Sequence, residues 1–377
     1  MKYGKIQRYV AVIAGAVMIG ATFLVPVQPI HAVPAKSKAS VHQAAVKKAE
    51  APQVTLKFNG IQVKEQGLTQ AGSVYVPISF LRDTLKMPFS YDKATKTYSI
   101  GQEYRKLKLV TSEYGISPDI NGYYLYPLEA KNINGRLFVP FQWVKDYLGF
   151  QGEWNAASKT LNVSTRQENK LTVETESYNK DSKDVTIHLN TPQIRYPGNQ
   201  NVEKAINDVL MNDLKQLKET IDKQLKEKNA EGNENPNPYG YSSSYLVTYN
   251  QNGVLGLVVE SYEYTGGAHG MTYRQGYTFS LKDGKALTLD DLFGKNASYR
   301  KQLNLEIAKQ FSKNPGYTGG FKELKKNPDF FLTPDTLHVF FQVYDYLPYA
   351  GGFPEFSFPF SKLLPKGSTP FDGLNAN

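Results

Sequence analysis

Of the five histidines in the chain, only His269 sits where its neighbours look arranged for chemistry. It lies in the stretch YEYTGGAHGMTY, Tyr262 to Tyr273, among Gly266, Gly267 and Gly270, with tyrosines on both sides. Imidazole titrates near neutral pH and is the commonest metal ligand, so general-base and metal chemistry are the first readings to test. A zinc site needs three or four His, Cys or carboxylate ligands at suitable spacing. The chain has no cysteine and no second histidine near His269, so that set is missing. As a base, His269 would need a nucleophile and an orienting acid. Ser261 and Ser280 are near, but neither stands in a G-x-S-x-G elbow and no aspartate partner is evident.

Paired carboxylates are the other chemical possibility, as in glycoside hydrolysis. Glu260 and Glu263 lie three apart on a predicted strand and so face opposite sides of it. Asp290 and Asp291 stand where they would cap the short helix DLF. His31 and His42 fall in the leader region, and His188 and His338 in predicted strands, as hydrogen-bonded or surface histidines. The chain therefore reads as non-catalytic, with no metal and no cofactor.

Two readings of the glycine stretch remain. The glycines supply positive φ or close packing between two long strands. Alternatively the loop presents Tyr264, His269 and Tyr273 beside a second glycine segment, where Tyr346, Tyr349 and Phe353 flank Gly351-Gly352. Aromatic side chains on a rigid scaffold offer large contact area at low entropy cost, to protein or sugar.

The elements that would position these residues are legible as patterns. From about residue 170, LTVETESYNKDSKDVTIHLNTPQI reads as two strands. Val202, Ile206, Val209, Leu210, Leu214, Leu217, Ile221 and Leu225 then recur at helical spacing. The polar run AEGNENPNPYGYSSS ends that helix as a mobile loop. An antiparallel meander follows, punctuated by Asn252-Gly253, the GGAHG stretch and Asp283-Gly284. A second helix, NASYRKQLNLEIAKQF, is expected to be capped by Asn296.

Upstream lies an internal repeat. VYVPISFLRDTLKMPFSYDKATKTYSI from Val74 aligns without gaps to LFVPFQWVKDYLGFQGEWNAASKTLNV from Leu137, a shift of 63 residues. Val76-Pro77 falls on Val139-Pro140, Phe80 on Trp143, Asp83 on Asp146 and Tyr91 on Trp154. Each unit reads as a strand, a Val-Pro entry into a short helix, and a hairpin, with the four aromatics as core anchors. This repeat resembles the stalk domain also called the copper amine oxidase N-terminal domain, found on exported proteins of Gram-positive bacteria. The resemblance carries no oxidase activity, because there is no Asn-Tyr pair for the quinone cofactor and no His-x-His pair for copper.

The second half, with ESYEYTGGAHG, LDDLF, a helix and VFFQVYDYLPYAGGFPEFSFPFSKL, resembles the RsiV-like extracellular domain of unknown function (DUF3298/DUF4163 type). That domain is named for an anti-sigma factor that senses lysozyme, and a related copy precedes the catalytic domain of some peptidoglycan deacetylases. The resemblance lacks two parts of those proteins: eight or nine residues precede the apolar N-terminal run, and no His-x-x-x-His metal motif follows.

The N-terminus itself has a basic start (Lys2, Lys5, Arg8), an apolar run Val10 to Val25, and Pro26 and Pro29 ahead of cleavage candidates at Ala32 or Ala35. This is a signal-peptide pattern, with an uncleaved anchor as its alternative. The expected organisation is signal 1–32, tether 33–52, duplicated stalk domain 53–166, RsiV-like domain 170–365 and tail 366–377. The fold class is α+β: a duplicated small α+β stalk domain, then an antiparallel sheet with helices. Of the net charge of +9, three belong to the leader, leaving +6 to face an extracellular or cell-wall setting. Positive charge favours anionic wall polymers and disfavours a basic protein ligand. No basic stripe interleaved with aromatics points to nucleic acid. What the resemblance implies is recognition of a cell-wall polymer or an extracellular protein such as lysozyme, with membrane contact only through the leader. A peptidoglycan-acting envelope enzyme or accessory subunit is the alternative.

Overall fold

The computed structural model describes residues 52–230, 238–294 and 296–372. The expected signal peptide and the tether up to residue 51 lie outside them, as do residues 373–377. The chain opens with three antiparallel strands, β1 (Gln53–Phe58), β2 (Ile61–Gln70) and β3 (Ser73–Pro77). After Pro77 a π-helical turn, Phe80–Thr84, buries Phe80 and Leu81. The hairpin β4 (Phe89–Asp92) and β5 (Thr97–Ile100) follows, extended by β6 (Leu107–Ser112), β7 (Gly115–Ile120) and β8 (Tyr123–Tyr124) into a five-stranded sheet. The second unit repeats the plan with β9 (Lys131–Ile133), β10 (Arg136–Pro140), helix α1 (Phe141–Tyr147) and the hairpin β11 (Phe150–Asn155) and β12 (Thr160–Thr165). Here the hairpin lies on β1, with β12 parallel to it, in a seven-stranded sheet ordered β11-β12-β1-β2-β3-β10-β9.

Repeat-equivalent Val76 and Val139 stand directly opposite each other where β3 and β10 pair antiparallel. That is the pairing expected if the two units are related by a local two-fold through the strand pair. Phe80 and Trp143 are buried, as expected of anchors. Tyr91 and Trp154 are not: they are 46% and 42% exposed. Both sit on edge strands, β4 and β11, each opposite a residue of the inner strand, Tyr98 or Leu161, with one side left in water.

The second half is built on a five-stranded sheet in sequential order, β13 (Thr172–Asp181), β14 (Val185–Arg195), β15 (Tyr239–Gln251), β16 (Val254–Tyr264) and β17 (Met271–Ser280). It is antiparallel except that β14 and β15 run parallel, joined by the 31-residue helix α2 (Gln200–Ala230). A helical crossover is the ordinary way to connect parallel neighbours. Val202, Ile206, Leu210, Leu214 and Ile221 bury the helix's apolar face, whereas Val209, expected on that face, is 37% exposed at its margin. The run YGYSSS, expected as loop, is the start of β15, because Tyr239 and Tyr241 alternate into the core beneath α2. Asn252 and Gly253 turn β15 into β16 with φ of 51° and 68°, as a type I′ turn requires.

Helices α3 (Leu289–Phe293) and α4 (Tyr299–Phe311) lead to a three-stranded sheet, β18 (Asp329–Thr333), β19 (Thr336–Phe340) and β20 (Glu355–Pro359), and to α5 (Phe360–Leu363). Ser298, not Asn296, caps α4; the Asn296 carboxamide instead accepts from the Ser298 backbone and hydroxyl. Gly276 of β17 lets β18 come close, since a Cβ there would lie 1.9 Å from the Phe330 carbonyl oxygen. The stalk strands do not pack by themselves. Their core runs on into Leu246, Val258, Phe331 and Phe340 of the second half.

Candidate functional site

Gly266 and Gly267 adopt φ of 99° and 92°, which a side chain rarely tolerates. Gly270 is needed for a different reason: a Cβ would meet the Glu263 carbonyl and the Tyr262 ring at 2.4 Å. The three glycines thus close β16 onto β17, and the Tyr264 hydroxyl donates to the Gly267 carbonyl at 3.1 Å to fix the turn. The consequence is the placement of His269. Its ring stacks on Tyr349 of the second glycine segment, with centroids 3.9 Å apart and planes 20° from parallel. Nδ1 lies 2.9 Å from the Gly270 carbonyl and Nε2 lies 3.3 Å from the Tyr344 hydroxyl. The only arrangement that makes both hydrogen bonds with a neutral ring has Nδ1 donating and Nε2 accepting from Tyr344.

Tyr344 was not picked out by the sequence. It is 50% exposed, with φ of 73°, and no spacing pattern marks it. Its position follows from Gln342, whose side chain imitates a strand neighbour: it accepts from the Arg274 backbone N–H at 3.1 Å and donates to the Arg274 carbonyl at 2.8 Å. That clamp lays residues 342–346 along β17, next to the loop.

Beneath the cluster sits Arg274. Its guanidinium reaches Glu260 at 2.7 Å and Glu355 at 2.8 Å, and lies over the Phe353 ring at 4.2 Å. Glu355 also meets His338 Nδ1 at 3.1 Å, and His338 stacks on Phe331 at 4.4 Å. Burial alone would raise the Glu355 carboxyl, but the His338 hydrogen bond and the Arg274 charge outweigh it and hold the carboxyl below its usual range. From the stalk side, Tyr123 joins this network. Burial drives its phenol well above the ordinary range, Arg274 pulls it back, and Glu260 and Glu355 add to the rise.

The eight residues expected at the site therefore divide. His269 and Tyr349 meet face to face, with Gly266 and Gly267 as the backbone that brings them there. Phe353 covers Arg274 rather than joining the stack. Tyr346 packs into the aromatic core, its ring 5.1 Å from Phe311 and 4.8 Å from Phe341. Tyr264 and Tyr273 fall on opposite faces of the sheet, because Tyr273 pairs with Ser261, three residues from Tyr264. Tyr273 is 45% exposed and donates to Glu263.

The carboxylates each have local partners. Glu263 accepts from Gln224 and Tyr273, on the face away from Glu260. Asp291 completes a capping box with Thr288, and Asp290 pairs with Arg300 and the Tyr299 hydroxyl. Among the described residues, no three His, Asp or Glu side chains group as metal ligands would. What the exposed surface offers is an imidazole–phenol stack with a second phenol at its edge.

Comparison with known proteins finds three segments. Residues 57–163 match the copper amine oxidase N-terminal domain, residues 178–272 match the model described as Deacetylase PdaC, and residues 290–361 match a protein family of unknown function, DUF3298. Among curated proteins, the peptidoglycan-N-acetylmuramic acid deacetylase PdaC of Bacillus subtilis (strain 168) is 31% identical over 85 residues, 22% of this chain. The match spans 15% of that relative's length. A DUF3298 family member from Bacteroides fragilis is 18% identical with a TM-score of 0.45, covering 56% of this chain and 100% of its own. A DUF3298 protein from Pseudomonas aeruginosa is also 18% identical, with a TM-score of 0.37, covering 52% of this chain and 94% of its own. The chain thus carries a copper amine oxidase N-terminal-like domain followed by a DUF3298 domain.

Proposed function

We propose that this chain is an exported, non-catalytic recognition protein of the cell envelope that holds its ligand at the His269–Tyr349–Tyr344 cluster. The observation that carries this reading is the convergence of the two glycine segments, 269 stacked on 349 at 3.9 Å, at an exposed edge of the molecule. Stacked aromatics with free rims bind by area and by a few directed hydrogen bonds, which suits a wall component or the surface of a wall-attacking protein such as lysozyme. The charge of +6 that remains beyond the leader disfavours a basic protein partner, whose association like charge would slow. The alternative, an accessory to an enzyme acting on peptidoglycan, draws on the match of residues 178–272 to the Deacetylase PdaC model.

The test is retention of the full chain on purified peptidoglycan, with and without its anionic polymers, beside a titration with lysozyme. His269→Ala and Tyr349→Ala should each abolish the binding that the native chain shows. Undiminished retention by both variants, or no binding to either ligand, would sink this assignment.

A further inference from the structure

A second feature arises only where the two halves meet. Between the stalk's five-stranded sheet and the β13–β14 edge runs a cleft of about 600 Å³, within the size range of small-ligand sites. Its walls are regular structure. Lys106, the residue before β6, and Lys108 within it flank the buried Leu107, and both line the cleft. Glu174 of β13 and Asn190 of β14 also line it, from opposite faces of their strands, because Asn190 pairs with Ser177, three residues from Glu174. Asn121 of the lining donates to the Tyr104 carbonyl at 3.0 Å, and the buried Asn250 side chain donates to the Tyr104 hydroxyl at 3.2 Å, which ties the stalk to the second half beside the cleft. At its end, Glu103 is held at φ of 50°, a left-handed conformation unusual for glutamate, of the kind that the surrounding structure must enforce.

The polar groups of this cleft are only partly used. Glu174 pairs with Arg195 through one oxygen, at 2.9 Å, and Asn190 accepts from Ser177 at 2.8 Å, which leaves its amide N–H groups toward the cleft turn at Gly122. Charge is balanced. Lys106 and Lys108 are matched by Glu103 and Glu174 in the lining. A polyanion would meet two carboxylates, and Val173 is the sole large apolar side chain in the lining, too little for an acyl chain or an aromatic ligand. Alternating donors and acceptors with no net field match a ligand made of hydroxyl groups. We propose that this cleft is a binding site for a neutral, polyhydroxylated oligosaccharide segment, separate from the glycine-loop cluster and independent of its role.

The experiment is calorimetric titration of the full chain with the tetrasaccharides of N-acetylglucosamine and of glucose, and with polygalacturonate as the polyanionic comparator. We expect saturable binding of a neutral tetrasaccharide that changes little between low and high salt. The double variant Lys106→Ser/Lys108→Ser should weaken it about tenfold, and Glu103→Ala severalfold, as loss of charge-assisted hydrogen bonds would. Lys313→Ser/Lys322→Ser, at exposed positions outside the lining, removes the same charge and should leave the affinity unchanged. His269→Ala/Tyr349→Ala should also leave it unchanged, so failure of the loop reading is told apart from failure here. No binding of either neutral tetrasaccharide, an unaffected lysine double variant, or tighter and steeply salt-dependent binding of polygalacturonate would overturn the assignment.

Discussion

Arg274 is where loop, stalk and C-terminal sheet are tied, and replacing it with leucine tests whether that tie holds the fold. The guanidinium makes short ion pairs with Glu260 on β16 and Glu355 on β20, and Phe353 covers its outer face. Its side chain is 12% exposed, while Glu260 and Glu355 are 20% and 33% exposed. Removing one member of a buried pair costs about 3–5 kcal/mol, because a charge is left without its partner. Both carboxylates retain some water, so Arg274→Leu belongs at the lower end, about 3 kcal/mol. For a unit this large that corresponds to a fall in Tm of about 6 °C. Arg274→Lys keeps the charge but not the fork, and should lose about half as much. Adding Glu260→Gln and Glu355→Gln to the leucine variant should recover more than half of the loss, since the uncompensated charges are then gone. The acid limb gives a second reading. The Glu355 carboxyl is depressed in the folded state, so its contribution is present above the ordinary glutamate value of about 4.3 and is lost as pH falls through the lower folded value. In Arg274→Leu that acid-dependent loss should shrink. Urea unfolding followed by near-ultraviolet circular dichroism measures both. A leucine variant within 1 kcal/mol of the native chain, on the order of the effect of an ordinary surface change, would refute this account of the junction.

Four other outcomes follow from the same geometry. Gly276→Ala must push β17 from β18, where a Cβ would lie 1.9 Å from the Phe330 carbonyl, and should lose about 2–4 kcal/mol by urea titration. Gly267→Ala, with open space but φ of 92°, should cost only about 1 kcal/mol. Trp143→Ala should cost about 3–5 kcal/mol, against less than about 1 kcal/mol for Trp154→Ala, the other tryptophan of the same repeat unit, on the edge strand. Burial raises the Asp146 carboxyl, which Lys145 and His338 only partly offset, so its burden on stability appears as pH rises above the ordinary aspartate value; Asp146→Asn should unfold later than the native chain at pH 7 and equally at acid pH in paired melts.

Much of this fold was written in local pattern. The strand-turn-hairpin plan of the two repeat units, most of the amphipathic face of α2 and the Asn252-Gly253 turn depend on residues within a turn or a strand of one another, and these formed as read. What escaped depends on distant partners. Tyr91 and Trp154 align with each other, yet whether they are buried is decided by which strand ends the sheet, and that needs the parallel pairing of β12 with β1. Tyr239 and Tyr241 sit in a run of glycine, serine and asparagine that resembles a loop; α2 makes them core. Tyr344 is the clearest case, since two hydrogen bonds from Gln342 to a residue 68 positions away put it beside His269.

The structural reading of the glycine stretch and the recognition proposed above are compatible in geometry. Gly266 and Gly267 serve the backbone, and the turn they make is what presents His269 to Tyr349. Beside the loop the backbone enters the left-handed region, where a tyrosine is disfavoured by about 1–2 kcal/mol. Yet Tyr344 is held there, half exposed, with its hydroxyl on the imidazole. Under the recognition proposed above, strain is kept at this surface position because the stack beside it is the binding surface.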